Sequence, residues 1–198
     1  MNNIESKIRE KFNVQPEVLP PITGRNPSSR ETLYELFAEL GYTRGAEVGV
    51  FRGINALHMF QRIPNLKLLC VDPWKRNEQA MNRTIARTAG YDVTIIRNSS
   101  VSASWNVRNR SLDFVYIDGA HDFDNVMLDL IHWVPKVKIG GIVSGHDYFY
   151  SESCKVPRAV DAYIFAHGIR NLHLTKDNLD PKSADYPYSP SFFWAKTE

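Results

Sequence analysis

Strand-like and helix-like segments alternate along most of this chain, and the alternation limits the fold more than any other feature. Short apolar runs, among them AEVGV, LKLLCVD, VTIIR, LDFVYID and GGIVSG, are separated by amphipathic segments of helical periodicity. Parallel neighbouring strands need such crossovers, and right-handed crossovers cover both faces of a sheet with helices. The pattern therefore predicts an α/β protein with a doubly wound, mostly parallel sheet.

The C-terminal part of the chain breaks this alternation. IRNLHLT and PSFFWAK both resemble strands, but only the turn-rich KDNLDPKSADYPYS lies between them. Strands joined without a helix pair antiparallel, so we expect an antiparallel pair at one edge. With the five preceding strands, the pair makes a sheet of seven.

The N-terminal part is predicted to be a short helix followed by a linker, together spanning residues 1–28. Residues 1–13 are amphipathic, and VQPEVLPPITGRNPSS, which follows, is rich in proline and typical of a surface connection. This segment is a candidate lid. Ser29 is a candidate N-cap for the next helix, and Gly41 a candidate stop signal. We therefore expect one domain over residues 29–198.

Composition and charge exclude several classes of protein. The net charge of +2 lacks the concentrated basic excess of a dedicated nucleic-acid binder. The polar N-terminus does not resemble a signal peptide, and no apolar run reaches the length of about 20 residues of a membrane span. Cys70 and Cys154 form neither a metal motif nor a disulfide framework. We expect a cytoplasmic protein that binds neither membranes nor nucleic acid.

Polar residues follow every strand of the predicted parallel sheet. In such sheets ligands bind beyond the carboxyl ends of the strands, at the crevice where strand order reverses. Any one of these residues could instead be a helix cap or a loop residue, but the series as a whole indicates a site. The series is Glu47, Gly49, Asp72, Asn98, Ser99, Asp118, His146 and Asp147.

The segment EVGVFRG narrows the choice of ligand. A dinucleotide site requires G-x-G-x-x-G, but Phe51 occupies the position of the second glycine, and no P-loop motif is present. An acid remains at Glu47, a turn at Gly49, and a second acid, Asp72, at the next strand end. Asp72 can accept hydrogen bonds from both hydroxyls of a ribose, and Glu47 can meet a cationic amino group. This combination suits a nucleoside that bears an amino acid.

The chain resembles the class I S-adenosylmethionine-dependent methyltransferases, in particular small bacterial members related to macrolide and aminocoumarin sugar O-methyltransferases. The segments that carry the resemblance are EVGVFRG, VDPW, RNSS, VYIDGAHDFDNVMLDLIHWVPKVKIGGIVSGHDY and VPRAVDAY. It implies a Rossmann-like fold and S-adenosylmethionine as the cofactor. The cofactor-binding residues it implies are Glu47, Gly49, Val50, Phe51, Gly53, Asp72, Trp74, Asn98, Ser99, Asp118 and His121. Trp74 could equally be a core residue, and His121 a metal ligand or a solvated side chain.

The resemblance also suggests how the acceptor loses its proton. The related sugar enzymes use magnesium bound by acids at two strand ends, and Asp118 and Asp147 match two of those acids. His146 occupies the third position, and imidazole is a poor magnesium ligand. Either Asp118, His146 and Asp147 bind another divalent ion such as manganese, or His146 is itself the general base.

We therefore expect a methyltransferase acting on a hydroxyl of a small polar acceptor, such as a sugar, glycan or natural product, with or without a divalent metal. The alternative is a noncatalytic S-adenosylmethionine-binding protein. The expected walls of the acceptor site are the N-terminal segment and residues 148–157 and 176–190. The partner is a small molecule, and a homo-oligomer is compatible with the sequence.

Overall fold

The computed structural model of the chain describes residues 3–13, 22–23, 29–175 and 189–197. The predicted alternation of strands and helices is present throughout the described domain. In chain order the elements are α1 (Asn3–Lys11), β1 (Ile22–Thr23), α2 (Arg30–Glu39), β2 (Arg44–Val48), α3 (Ile54–Arg62), β3 (Lys67–Asp72), α4 (Glu78–Arg87), β4 (Asp92–Arg97), α5 (Ser100–Ser104), β5 (Leu112–Ile117), α6 (Phe123–Trp133), a 3₁₀ turn (Val134–Lys136), β6 (Val137–Gly145), α7 (Val156–Ala166), β7 (His173–Leu174) and β8 (Phe192–Ala195).

The strands form one twisted sheet in the order β1-β7-β8-β6-β5-β2-β3-β4. β2 to β6 are parallel, and β8 lies antiparallel between β6 and β7. The seven predicted strands, including the C-terminal antiparallel pair, are confirmed. Two differences are the added two-residue strand β1, parallel to β7 at the edge, and the short helix α5, which the sequence pattern did not indicate.

Helices cover both faces of the sheet because each central strand is apolar on both sides. In β5, Phe114 and Tyr116 join the core beneath α1 to α4, whereas Val115 and Ile117 join the core beneath α5 to α7. All six residues of β5 are buried. Such a continuous apolar run is typical of a central strand in a doubly wound sheet.

Capping residues set the start of α2 where the sequence predicted it. The Ser29 hydroxyl accepts a hydrogen bond from the Glu31 amide, and the Thr32 side chain accepts one from the Ser29 amide. Gly41 follows the helix with a φ of 70°, as expected of a C-terminal stop.

The N-terminal helix α1 is packed onto the domain. Ile8 and Phe12 are fully buried, and the Phe12 ring lies 4.9 Å from that of Phe193. Lys11 forms a 2.6 Å ion pair with Glu39 on α2. Most of the linker lies outside the described residues, so the division at residue 28 and the lid stay predictions.

Candidate functional site

The strand order reverses between β2 and β5, and the predicted crevice lies at their carboxyl ends. β2 extends to β3 and β4 on one side, while β5 extends to β6 on the other. The backbone amide of Asp118 donates to the Val48 carbonyl at 2.7 Å, and that of Gly49 donates to the Val71 carbonyl at 2.8 Å. The ends of β2, β3 and β5 are therefore hydrogen-bonded together where a ligand would lie.

Close packing between neighbouring strands of the sheet explains why a glycine is required at position 49. Its φ is 90°, and a Cβ atom at this position would lie 2.1 Å from the Asp118 carbonyl oxygen. Gly53 similarly gives space to α4, because a Cβ there would lie 2.9 Å from Thr84. Packing alone accounts for both glycines, so their presence does not by itself indicate a ligand.

Asp72 fixes the loop that follows β2. Its Oδ2 accepts a 2.9 Å hydrogen bond from the Phe51 amide, and its Oδ1 accepts a 2.6 Å bond from the Trp74 amide. Each carboxylate oxygen can accept more than one hydrogen bond, and the side chain is partly exposed. Asp72 therefore has acceptor capacity left for two ribose hydroxyls.

The neighbouring residues of the loop have different environments. Trp74 is buried, and its indole Nε1 donates to the Phe51 carbonyl at 2.7 Å, which favours the core alternative over contact with a cofactor. Val50 is also buried, whereas the Phe51 side chain is 52% exposed. Of these three side chains, only that of Phe51 is available to a ligand in the crevice.

Glu47 is a buried acid with only one of its carboxylate oxygens paired. The Asn55 side-chain amide donates to Oε1 at 3.0 Å, and the Tyr34 hydroxyl donates in turn to Asn55 Oδ1. Oε2 is buried without a hydrogen-bond partner. Burial raises the pKa of Glu47 to about 8, with a smaller contribution from Asp118. A cationic group in the crevice would therefore stabilise the ionised form.

Asn98 and Ser99 lie at the exposed end of β4. The Ser99 hydroxyl caps α5 by accepting from the Ser102 amide, and the side-chain Oδ1 of Asn98 accepts from the Ser99 amide at 2.8 Å. The local structure accounts for both side chains, yet both stay accessible at the strand end. Their predicted role toward an adenine stays a prediction.

A cluster of charged residues occupies the ends of β5 and β6. Asp147, in the left-handed region with a φ of 60°, accepts hydrogen bonds at Oδ2 from His121 Nε2 (2.9 Å) and at Oδ1 from the Ser189 hydroxyl (2.5 Å). Its Oδ1 also lies 3.1 Å from His146 Nδ1. These hydrogen bonds hold the pKa of Asp147 well below its ordinary value despite burial.

Arg30 determines which tautomer His146 adopts. Its Nη2 lies 2.5 Å from His146 Nε2, and a guanidinium can only donate. Nε2 must therefore be the acceptor, so the ring proton is on Nδ1 and points to Asp147 Oδ1. Both ring nitrogens of His146 are therefore engaged, and its predicted roles as a metal ligand or a general base stay predictions. Arg30 has no local signal in the sequence, since it is 116 residues from His146.

His121 has the solvent exposure and the hydrogen-bonded carboxylate partner that suit a general base, the role predicted for His146. Its side chain is 47% exposed, and its hydrogen bond with Asp147 raises its pKa. The candidate metal-binding set among the described residues is Asp118, His121 and Asp147, whose ligand atoms all lie within 4.8 Å of one another. The cavity beside them encloses about 10 Å³, roughly the space of one water molecule. Asp118 is less exposed, and burial raises its pKa.

Two neighbouring positions have structural roles. Asp122 is the N-cap of α6, and its side chain accepts from the Asn125 amide. Trp133 is fully buried. Residues 176–188 of the expected acceptor walls lie outside the described residues.

The fold and the crevice at the switch of strand order fit a class I methyltransferase, and comparison with known proteins shows the family. A family profile described as "Methyltransferase domain" matches residues 46–148, just over half of the chain. The chain therefore belongs to this family of class I S-adenosylmethionine-dependent methyltransferases. A comparison with curated protein sequences gives no match.

Solved structures share the fold at low sequence identity. A candidate O-methyltransferase from Klebsiella pneumoniae superposes with a TM-score of 0.63 at 14% identity, covering 100% of this chain and 91% of its own. An rRNA methylase from Streptococcus thermophilus gives 0.64 at 13% identity, covering 88% and 98%. A candidate methyltransferase from Streptococcus mutans in complex with SAH gives 0.56 at 12% identity, covering 85% and 98%.

Among the described residues, none of the helices combines the length and the apolar character needed to cross a bilayer.

Proposed function

We propose that this chain transfers a methyl group from S-adenosylmethionine to a hydroxyl of a small polar acceptor, with the His121–Asp147 pair removing the hydroxyl proton. The observation that carries the proposal is the 2.9 Å contact between His121 Nε2 and Asp147 Oδ2 at the crevice. Because Nε2 donates to Asp147, the other ring nitrogen of the neutral imidazole is an acceptor. Among the described residues, Nδ1 of His121 has no hydrogen-bond partner.

Three features of the crevice fit S-adenosylmethionine. Asp72 would accept from the ribose hydroxyls, and the unpaired Oε2 of Glu47 would interact with the amino group of the methionine part, directly or through water. Asn98 and Ser99 would lie near the adenine. The bound cofactor supplies a methyl group that its sulfonium has already activated. The protein's contribution is to orient the acceptor and to take up its proton.

Proton removal is assigned to His121 because of its partner and its exposure. When the acceptor oxygen replaces the sulfur on the methyl carbon, S-adenosylhomocysteine would be the leaving group, and the hydroxyl proton would pass to Nδ1 of His121. Asp147 stabilises the resulting imidazolium through the hydrogen bond at Nε2. Asp147 is itself fixed by Ser189 and by His146, whose orientation Arg30 sets. Asp118, at the same crevice, adds negative charge that favours the imidazolium.

Two tyrosines in the loop after β6 favour an acceptor that is small and polar and contains a ring. Tyr148 and Tyr150 both donate to the Asp161 carboxylate, at 2.6 and 2.5 Å. Their rings are thereby fixed within a few residues of Asp147, and that of Tyr150 is 68% exposed. A fixed, exposed phenol offers both a stacking face and a polar edge to a sugar or an aromatic ring.

The assay measures release of S-adenosylhomocysteine from S-adenosylmethionine with a panel of sugars, phenols and, as a nucleic-acid comparison, short RNA. We expect turnover with a small hydroxyl compound to rise with pH through a pKa above 6.5, because only neutral His121 accepts a proton. His121→Ala should lower kcat by about 10²- to 10⁴-fold. His132→Ala, a histidine on α6 outside the crevice, is the matched control.

Metal-assisted transfer is the second candidate, since Asp118, His121 and Asp147 form a compact set of two carboxylates and one imidazole. This donor set suits manganese, iron or zinc better than magnesium. A bound ion would lower the pKa of the acceptor hydroxyl. Turnover abolished by a chelator and restored by manganese would favour this candidate over the metal-free base. Cofactor binding in calorimetry, with no turnover of any compound in the panel, would favour the noncatalytic alternative.

A further inference from the structure

A second cavity lies at the opposite end of the sheet from the crevice. Its volume is about 530 Å³, and residues from the 3₁₀ turn that precedes β6, from the end of α7 and the loop after it, and from the end of β8 line it. β6 has nine residues, and its far end leads into His146 and Asp147. At about 3.3 Å per residue, roughly 25–30 Å separate the two places. The cavity is therefore a different site from the crevice.

The rim of the cavity carries positive charge. Arg110, Arg170 and Lys196 line it, and among the described residues no aspartate or glutamate does. Lys196 is fixed by donating to the carbonyls of Val134 and Val137, at 3.0 and 2.9 Å. Within the described part of the chain, the guanidinium group of neither arginine has a hydrogen bond or an ion pair. Burial and the charge of Arg110 lower the pKa of Lys196.

The floor of the cavity is aromatic. Tyr163 and Trp194 line it, and their ring centroids lie 6.3 Å apart. Both rings are almost completely buried, so each presents only a narrow apolar surface to the cavity.

The backbone around Arg110 also fixes the position of this residue. Arg110 has a left-handed backbone with a φ of 58°, and its amide donates to the Pro135 carbonyl at 3.0 Å. The backbone at this cation is therefore ordered.

We propose that this cavity binds a small phosphate-bearing molecule whose ring or other apolar part lies against Tyr163 and Trp194. Guanidinium groups bind phosphate oxygens through two parallel hydrogen bonds, and the two unpaired arginines offer such donors. The volume lies in the range typical of small-ligand sites. A concave site with its cations on one rim suits a small ligand better than an RNA strand, which requires a long basic stripe.

The probe is phenyl phosphate, compared with phenol and with inorganic phosphate, titrated into the ¹⁵N-labelled full chain in the presence of excess S-adenosylhomocysteine. The readout is the chemical shift of the Trp194 indole and of the amides of residues 168–171. We expect saturable shifts confined to this region, with a Kd below about 1 mM at low salt. Phenol should give none, and inorganic phosphate should bind more weakly because it lacks the ring.

The test variant is Arg110→Ala/Arg170→Ala, which removes two exposed cations and should keep the amide spectrum of the folded chain. We expect its affinity for phenyl phosphate to be at least about tenfold lower. Arg76→Ala/Arg83→Ala, an equal change of charge elsewhere on the surface, is the matched control. Shifts that do not saturate, or equal weakening in both double variants, would overturn the proposal. So would a ten-nucleotide RNA that uses the same two arginines and binds far more tightly than phenyl phosphate.

Discussion

Glu47→Gln tests whether the buried acid beside the crevice is protonated at neutral pH. The substitution keeps the shape of the side chain and the acceptor for Asn55, but it removes the titrating group. In the ligand-free protein, burial raises the pKa of Glu47 from 4.5 to about 8. The folded state therefore retains a proton that the unfolded chain releases at lower pH. Its contribution to stability is fully present below pH 4.5 and is lost as the pH rises towards 8.

The magnitude follows from these two pKa values. Each unit of difference between the folded and unfolded states corresponds to about 1.4 kcal/mol of stability. Between pH 5 and pH 9 the wild-type protein should lose about 4 kcal/mol through this group, most of it below pH 8. The Glu47→Gln variant has no titrating group at this position, so it does not lose this stability. Its free energy of unfolding, relative to the wild type, should therefore rise by about 4 kcal/mol over the same interval.

Urea denaturation of both proteins at pH 5, 7 and 9, without cofactor, measures this difference. Glu152→Gln is the matched control, because the Glu152 side chain is exposed in the folded protein. We expect the control to follow the wild type at every pH. A difference between Glu47→Gln and wild type that does not change with pH would refute the reasoning, since it would mean that Glu47 ionises normally despite its burial.

Three further predictions concern the same edge of the sheet. Gly49→Ala should lower the free energy of unfolding by at least about 3 kcal/mol, because its Cβ would lie 2.1 Å from the Asp118 carbonyl oxygen. Gly41→Ala, with open space around it, should lower it by only about 1–2 kcal/mol. Equal losses of stability in thermal or urea unfolding would contradict this. Arg30→Ala should remove the single Nδ1-protonated tautomer of His146, and ring nitrogen shifts that do not change in NMR would show that Arg30 does not set it. Asp72→Ala should weaken the binding of S-adenosylhomocysteine about ten- to a hundredfold in calorimetry, and full affinity in a folded variant would remove Asp72 from the ribose.

The architecture could be predicted from local pattern because the determinants of its elements are close together in the sequence. Alternating apolar runs and amphipathic segments specified the parallel strands and their crossovers, and Ser29 and Gly41 marked the ends of α2. The same logic placed Asp72, Asp118 and Asp147 at strand ends, since the carboxyl ends of parallel strands share one edge. Helix α5 was missed because five residues are too few to show a helical period.

The chemical roles at that edge depend on contacts between distant parts of the chain. Sequence alone left His146 as ligand or base, but the tertiary structure brings Arg30 onto its Nε2 and places His121 on Asp147. Burial likewise raises the pKa of Glu47, although its sequence neighbours are unremarkable for a strand. Hydrogen-bond partners and solvent exposure act through space, so they become known only when the packing of α2, β5 and β6 is known. The sequence by itself determined which residues reach the edge, and only the tertiary structure decided which hydrogen-bond partners and how much solvent exposure each of them has.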